Sequence, residues 1–349
     1  MNSILENPWM NALFGDPEVA ALFSAETSLR QMLKIEAAWT HAIAPAQVAA
    51  RLEMAFMHSD VTVADLTAGM AQDGVPIPAL VRHLKQSVAP ADHAFVHSGL
   101  TSQDVIDTSL MMGLQALFPI LEMRLNNLIA ALNALSDRDG ANEIMAVTRM
   151  QPALAITAAD RITTWRRPLE DLLRQLPALA ERCAIVQLGG PVGTRGPKMT
   201  DTMGRNFAAF LGLRDLGYAW HNDRTILAEA AAFLARMTGA IGKIGQDIAM
   251  MALNSQDALT LTGGGGSSAM PHKQNPVRAE ILITLARRNA GDLAQMHHAL
   301  THEFERSGSA WMLEWLTLPA MAETCGCSLI TGAKLIEQIT SIGAHAVAK

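Results

Sequence analysis

Apolar residues recur at helical spacing along almost the whole chain. From Gln103 to Asp137, Leu, Ile, Met and Ala return every three or four positions, which predicts one long helix disturbed at Pro119. The stretch from His221 to Leu261 has the same pattern and no proline, and predicts a helix of unusual length. Gln151 to Ile185 and Pro276 to Glu305 predict two more. Strict alternation of apolar and polar residues with β-branched clusters is scarce, so strands are not expected. Long apolar-faced helices joined by short loops imply an all-α antiparallel bundle. Gly239, Gly242 and Gly245, three apart, mark a face where a second helix comes close. Residues 1–95 read as an N-terminal helical domain, punctuated by turns at Asp73-Gly74-Val75-Pro76-Ile77-Pro78 and Ala89-Pro90-Ala91-Asp92. Residues 96–349 carry the bundle. Within them Leu188 to Pro197 is a long irregular loop, and such loops in compact domains are often functional.

Composition narrows the class. Hydrophobic residues make up 50% and charged residues 17% of the 349, a globular balance. The net charge of −6 argues against a nucleic-acid scaffold. It leaves room for an anionic small substrate, because local cations decide that. Of the 27 basic residues 20 are arginine, suited to bidentate grip on carboxylates. Cys183, Cys325 and Cys327 form no disulfide framework and read as reduced, buried thiols. The first ten residues lack a signal-peptide pattern, and no uninterrupted apolar run reaches membrane-spanning length. A soluble, cytoplasmic protein is the expectation, with neither membrane nor nucleic acid as partner.

The chemistry concentrates in Gly263-Gly264-Gly265-Gly266-Ser267-Ser268-Ala269-Met270-Pro271-His272-Lys273-Gln274-Asn275-Pro276. Four glycines let the backbone approach a ligand closely. Two hydroxyls, a cation and an amide follow, and Pro276 suits the first turn of the helix behind it. The segment is not a phosphate loop, since no Lys-Ser/Thr pair follows its last glycine. It is suited to holding a carboxylate while a nearby proton moves.

From Gly266 to Pro276 the segment resembles the signature loop of the fumarase/aspartase superfamily. Two other segments agree, in the family's order. His97-Ser98-Gly99-Leu100-Thr101-Ser102-Gln103-Asp104-Val105-Ile106-Asp107-Thr108, with a Thr-Ser-x-Asp core, is similar to its first substrate-binding region, and Thr148-Arg149-Met150-Gln151-Pro152-Ala153 to its second. The resemblance implies a homotetramer whose central domains form a twenty-helix bundle, with active sites drawn from three subunits. It also implies a small C-terminal third domain, of which little is expected in this sequence, since about seventy residues follow the loop. Reactions of this superfamily pass through an aci-carboxylate, whose double charge needs dense donors and cations around it.

Carried onto this chain, the resemblance makes Ser267 the proton-transfer group, with Ser268 beside it as the alternative. Lys273 and the glycine amides would stabilise the serine alkoxide. Lys273 and Asn275 match carboxylate-binding residues, and Thr101, Ser102, Gln151 and His97 match further contacts. Capping and turn chemistry is the competing reading for Thr101, Ser102 and Gln151.

One departure is informative. Where many members carry histidine in Thr-His-x-Gln, this chain has Arg149, which stays protonated and cannot serve a departing amine or hydroxyl as acid or base. Ring closure of a carboxymuconate to its lactone avoids the problem, because the nucleophile is the substrate's own ionised carboxylate. An extra cation also suits a tricarboxylate. The segment Glu305-Arg306-Ser307-Gly308-Ser309-Ala310-Trp311-Met312-Leu313-Glu314-Trp315-Leu316-Thr317-Leu318-Pro319 resembles the muconate cycloisomerase branch more than the adenylosuccinate lyase branch. Trp311 and Trp315, four apart, share a helix face, either as a packing stripe or as a stacking surface. The expected activity is thus cofactor-independent and metal-independent cycloisomerisation of a small anionic tricarboxylate. A sulfomuconate analogue, an adenylosuccinate-type lyase reaction and a non-catalytic crystallin-like role are the alternatives. His297, His298 and His302 crowd one segment, but without cysteine or carboxylate partners in a fixed shell no metal is expected there.

Overall fold

A computed structural model describes residues 7–196, 199–253, 259–266, 270 and 275–343. Six helices come first: α1 (Pro8–Phe14), α2 (Pro17–Leu22), α3 (Ala25–Ile43), α4 (Ala46–Met57), α5 (Val63–Asp73) and α6 (Ile77–Gln86). Their starts are set by side chains that accept the free amides of the first turn. Asp16 accepts from Val19, Ser24 from Thr27, and Thr62 and Asp65 cap each other reciprocally. A 3₁₀ turn at Pro90–Phe95 leads into α7 (Ser102–Asp139), then the hairpin β1 (Glu143–Thr148) and β2 (Gln151–Thr157). After it come α8 (Ala158–Cys183), α9 (Asp201–Leu211), α10 (Thr225–Leu253), β3 (Leu259–Leu261), α11 (Val277–His298), α12 (Ser309–Glu337) and β4 (Ile339–Ile342).

Helices α7, α8, α10, α11 and α12 pack side by side as a five-helix bundle. The starts of α7, α10 and α12 meet at one end, where Asp107 is bound to Arg224 and Trp311, so these three run the same way and α8 and α11 return. The core between them contains Leu117, Leu121, Leu125 and Leu128 of α7, Trp165 and Leu169 of α8, Ile241, Ile244 and Ile248 of α10, and Met321, Cys325 and Leu329 of α12. Each such side chain contributes roughly 1.5–3 kcal/mol by leaving water. A second core joins α3, α4, α5 and α6 to Val186, Leu188 and the α9 residues Phe207, Ala208 and Leu211. By length and composition α7 and α10 are apolar enough to cross a membrane, but 61% and 56% of their apolar windows are buried inside the protein. They are core helices.

The glycine face predicted on α10 is real at two of its three positions. A Cβ on Gly242 would meet that of Ala286 at less than 3.0 Å, and one on Gly245 would lie 2.8 Å from the Ala279 carbonyl oxygen. The close neighbour is α11. Gly239 has nothing within 4 Å and takes no part in this approach.

Helix boundaries depart from the pattern in several places. The expected helix from Gln151 begins as a strand, and helix starts only at Ala158. Thr157 ends the strand and caps α8 with Asp160, the Thr157 amide donating to Oδ2 at 2.9 Å. The expected helix from His221 starts at Thr225 and ends at Leu253. Leu259 to Leu261 instead pair with β4, antiparallel. The helix expected from Pro276 to Glu305 stops at His298, and Pro276 is its N-cap residue. Helix α7 continues through Pro119.

Candidate active site

The start of α7 is built around a buried carboxylate. Asp104 is fully buried and accepts four hydrogen bonds. Its Oδ2 accepts from the amides of Thr101 at 3.0 Å and Gly190 at 2.9 Å. Its Oδ1 accepts from the Gly189 amide at 2.8 Å and pairs with His221 Nε2 at 2.9 Å. A carboxylate only accepts, so Nε2 carries the proton. This ties the Gly189–Gly190 segment to the Thr101–Ser102 segment. Gly190 takes a φ of +67°, and its place over the Gly99 carbonyl oxygen leaves a Cβ only 3.0 Å away.

One turn along α7, Asp107 repeats the motif with an arginine. Arg224 donates to both Asp107 oxygens, at 2.6 and 3.0 Å, and to both Glu314 oxygens, at 2.9 and 2.6 Å. Trp311 Nε1 and Gln187 Nε2 add donors to Asp107 at 2.9 and 3.2 Å. Burial opposes ionisation of Asp107, but Arg224 outweighs it and holds the carboxyl below its ordinary value. Arg224 also lies 4.7 Å from the centre of the Trp220 ring. Trp311 and Trp315 meet edge to face with ring centres 4.6 Å apart. Trp311 is 4% exposed, so its role is packing and donation to Asp107 rather than open stacking. His302 is buried with its Nε2 3.5 Å from Glu314 Oε1, whereas His297 and His298 are exposed.

Three of the expected site residues gather at this end. Thr101 is buried as the N-cap residue of α7, and Ser102 is half-buried as its first residue. His97, with a left-handed φ of +54°, pairs through Nδ1 with the buried Glu36 Oε1 at 2.6 Å. Burial disfavours the imidazolium, but Glu36, with Asp104 behind it, prevails and raises the His97 pKa above its ordinary value.

Arg149 and Gln151 lie elsewhere. They sit at the tip of the β1–β2 hairpin, exposed, with Thr148 paired to Gln151 across the two-residue turn. Arg149 and Met150 both take left-handed backbone, with φ of +49° and +64°. That conformation costs non-glycine residues energy and gives the turn the twist a tight hairpin needs. The hairpin follows the far end of α7, whose 38 residues span about 57 Å. Even folded straight back, a six-residue strand recovers about 20 Å, so Arg149 stays more than about 30 Å from Thr101 of the same chain.

The stems of the glycine-rich loop are also at the far end. Gly265 and Asn275 exchange two backbone hydrogen bonds of 2.9 Å, which close the loop at its base. Strand β3 leads into it, and the β3–β4 pair is bound to the end of α7. Arg138 donates to the Ile339 carbonyl oxygen at 2.9 Å, and the Ile342 amide to Asp139 at 3.0 Å. Ser267, Ser268 and Lys273 lie outside the described residues. The sequence assigns no role to the buried groups Asp104, Asp107, Gln187, His221, Arg224 and Glu314, although Asp104 and Asp107 lie in the first substrate-binding segment and Glu314 in the tryptophan segment. A further signal is spacing: Asp104 and Asp107 are three apart on an apolar helix, and His221 and Arg224 are three apart before another.

The chain is similar to proteins of known name. The family model described as "Lyase" matches residues 17–291. A 3-carboxy-cis,cis-muconate cycloisomerase of Pseudomonas aeruginosa is 30% identical, over 95% of this chain and 74% of that protein. A nitrosuccinate lyase of Streptomyces davaonensis is 29% identical, over 92% of this chain and 70% of its own. The crystal structure of the 3-carboxy-cis,cis-muconate lactonizing enzyme from Pseudomonas putida superposes with a TM-score of 0.89 at 29% identity, covering 96% of this chain and 78% of that one. With its signature segments in order, a family model matched from residue 17 to residue 291 and a fold shared with the lactonizing enzyme, the chain belongs to the lyase family, that is, to the fumarase/aspartase superfamily.

Proposed function

We propose that this chain catalyses closure of 3-carboxy-cis,cis-muconate to 4-carboxymuconolactone, in the cytoplasm, as a step of aromatic-acid catabolism. The observation that carries the reading is Arg149, a permanent cation at an exposed hairpin tip where an acid–base histidine would serve elimination of an amine or hydroxyl. It is supported by similarity to relatives with that printed activity.

In this reading an internal carboxylate oxygen forms a C–O bond to the alkene carbon β to the acceptor carboxylate. The π pair moves toward that carboxylate, giving the aci-carboxylate, and the α carbon then takes a proton. Ser267 delivers that proton and recovers one from solvent, with Ser268 as the alternative group. Lys273, Asn275, Arg149 and the loop amides stabilise the developing charge, while Thr101, Ser102, Gln151 and His97 hold the remaining carboxylates. The residues supply acid, cations and donors, which is all the reaction asks for.

The separation of Thr101 from Arg149 in one chain supports sites assembled from different copies, in a homotetramer. A Thr101→Val, Ser102→Ala double variant and a Ser267→Ala variant, each inactive, are expected to regain activity when co-expressed, because some hybrid sites then hold no altered residue. Failure of co-purified hybrids to regain any activity would count against sharing. The activity itself is tested by following the conjugated-diene absorbance of 3-carboxy-cis,cis-muconate with the purified protein. Loss of absorbance with a lactone product supports the reading. An unchanged spectrum, with fumarate released from a succinyl adduct instead, replaces it with an elimination.

A further inference from the structure

We infer that His221 is a positioning residue for the Thr101–Ser102 end of the site, an inference that rests on the proposed placement of substrate carboxylates there. His221 is 2% exposed. It acts through Asp104. That carboxylate has room for about four donors, and all four are present: the amides of Thr101, Gly189 and Gly190, and His221 Nε2. Three of these are fixed backbone groups. Among the described residues the imidazole is the one side-chain donor, and it arrives from the segment before α10, 117 residues away in sequence.

The same residue also holds Ser102 from its other side. Gln103 Nε2 donates to the His221 carbonyl oxygen at 2.8 Å, so both neighbours of Ser102 are tied to His221, one through Asp104 and one through its backbone. The ring is roofed by the loop that carries Gly189 and Gly193. A Cβ on Gly189 would lie 2.7 Å from its Cε1, and one on Gly193, at φ +76°, 3.5 Å from its Nδ1. Among the described residues Nδ1 has no hydrogen-bond partner. The ring's bonded nitrogen is aimed at Asp104, and that bond completes the set of four donors that fixes the rotation of the carboxylate. With the donor gone, a buried carboxylate is left one partner short and turns toward its remaining donors. Thr101, Ser102 and the loop then shift together while the bundle core is untouched.

The test compares three variants with the wild type. A glutamine amide reaches about as far as Nε2, whereas an asparagine amide reaches only as far as Nδ1. His221→Gln is expected to keep KM near the wild-type value. His221→Asn and His221→Leu are expected to raise KM about tenfold with kcat within about threefold, the mark of lost ground-state binding. Amide hydrogen exchange at Thr101, Gly189 and Gly190 is expected to quicken in the Asn and Leu variants and not in the Gln variant. A melting temperature that falls in all three variants while KM and these amides stay unchanged would overturn the inference and leave His221 a filler of space. If the Leu variant does not fold, the Gln and Asn pair decides. If the wild type does not turn over carboxymuconate, the proposed function fails, and the amide exchange still decides whether His221 positions the segment.

Discussion

Replacing Arg224 by methionine removes the one cation between two buried carboxylates. Asp107 is fully buried and Glu314 is 1% exposed, and each accepts two hydrogen bonds from the guanidinium. Methionine keeps much of the volume but leaves two negative charges facing each other out of water. Breaking a buried ion pair from one side costs about 3–5 kcal/mol. Trp311 and Gln187 still donate to Asp107, so the lower half of that range is expected there; Glu314 keeps His302, 3.5 Å away. At roughly 2–4 °C per kcal/mol for a chain of this order of size, a fall of about 10 °C in melting temperature follows.

The pH dependence gives a second and sharper criterion. In the wild type the folded pKa of Asp107 is depressed, so its contribution is present above the unfolded carboxylate pKa and is lost as pH falls toward the folded value. In the variant the Asp107 carboxyl stays buried without its cation, its neutral form is favoured, and stability falls as pH rises. Both effects narrow the gap between the two proteins as pH drops from 7 toward 4. Thermal or urea unfolding of both proteins across that range measures it. A loss below about 1 kcal/mol at pH 7, the value of an ordinary surface pair, or a gap that does not shrink on acidification, would refute the reasoning.

The close approach of α10 and α11 predicts opposite outcomes for two glycine changes. Gly242→Ala gains about 1 kcal/mol of helix propensity but drives a Cβ into that of Ala286, and a net loss of about 1–2 kcal/mol is expected in urea unfolding. Gly239→Ala meets nothing within 4 Å and is expected to be neutral or stabilising in the same experiment. For His97, whose folded pKa is raised, the Glu36 pairing stabilises fully below the unfolded histidine pKa and is lost as pH rises through the folded value. The difference in melting temperature between wild type and His97→Gln is therefore expected to be largest near pH 5 and to close on the alkaline side.

The long helices were readable because their apolar periodicity is sustained for many turns, as from Leu114 to Leu135, where burial follows the spacing. The hairpin was not. Pro152-Ala153-Leu154-Ala155-Ile156 has a helical composition, and the turn before it carries Arg149 and Met150 where glycine or asparagine would mark a tight hairpin. Tertiary placement at the end of α7 overrides that local preference. The short strand Leu259–Leu261 pairs with residues some eighty positions away, and nothing local announces it. Family motifs led to Thr101, Arg149 and Asn275, but they give no distances, and it is the length of α7 that places the first two far apart in one chain. The buried lattice of Asp104, Asp107, His221, Arg224 and Glu314 unites residues 90 to 117 positions apart, so it became visible only with the fold.

The central claim is that Ser267 moves the proton while this chain closes carboxymuconate to its lactone. The most direct measurement is the rate of diene loss for wild type and Ser267→Ala under saturating substrate, with circular dichroism to verify the fold. Removal of a general acid–base group predicts a kcat lowered about a thousandfold with helicity and melting temperature unchanged. A Ser267→Ala protein that turns over at a near-normal rate contradicts the account.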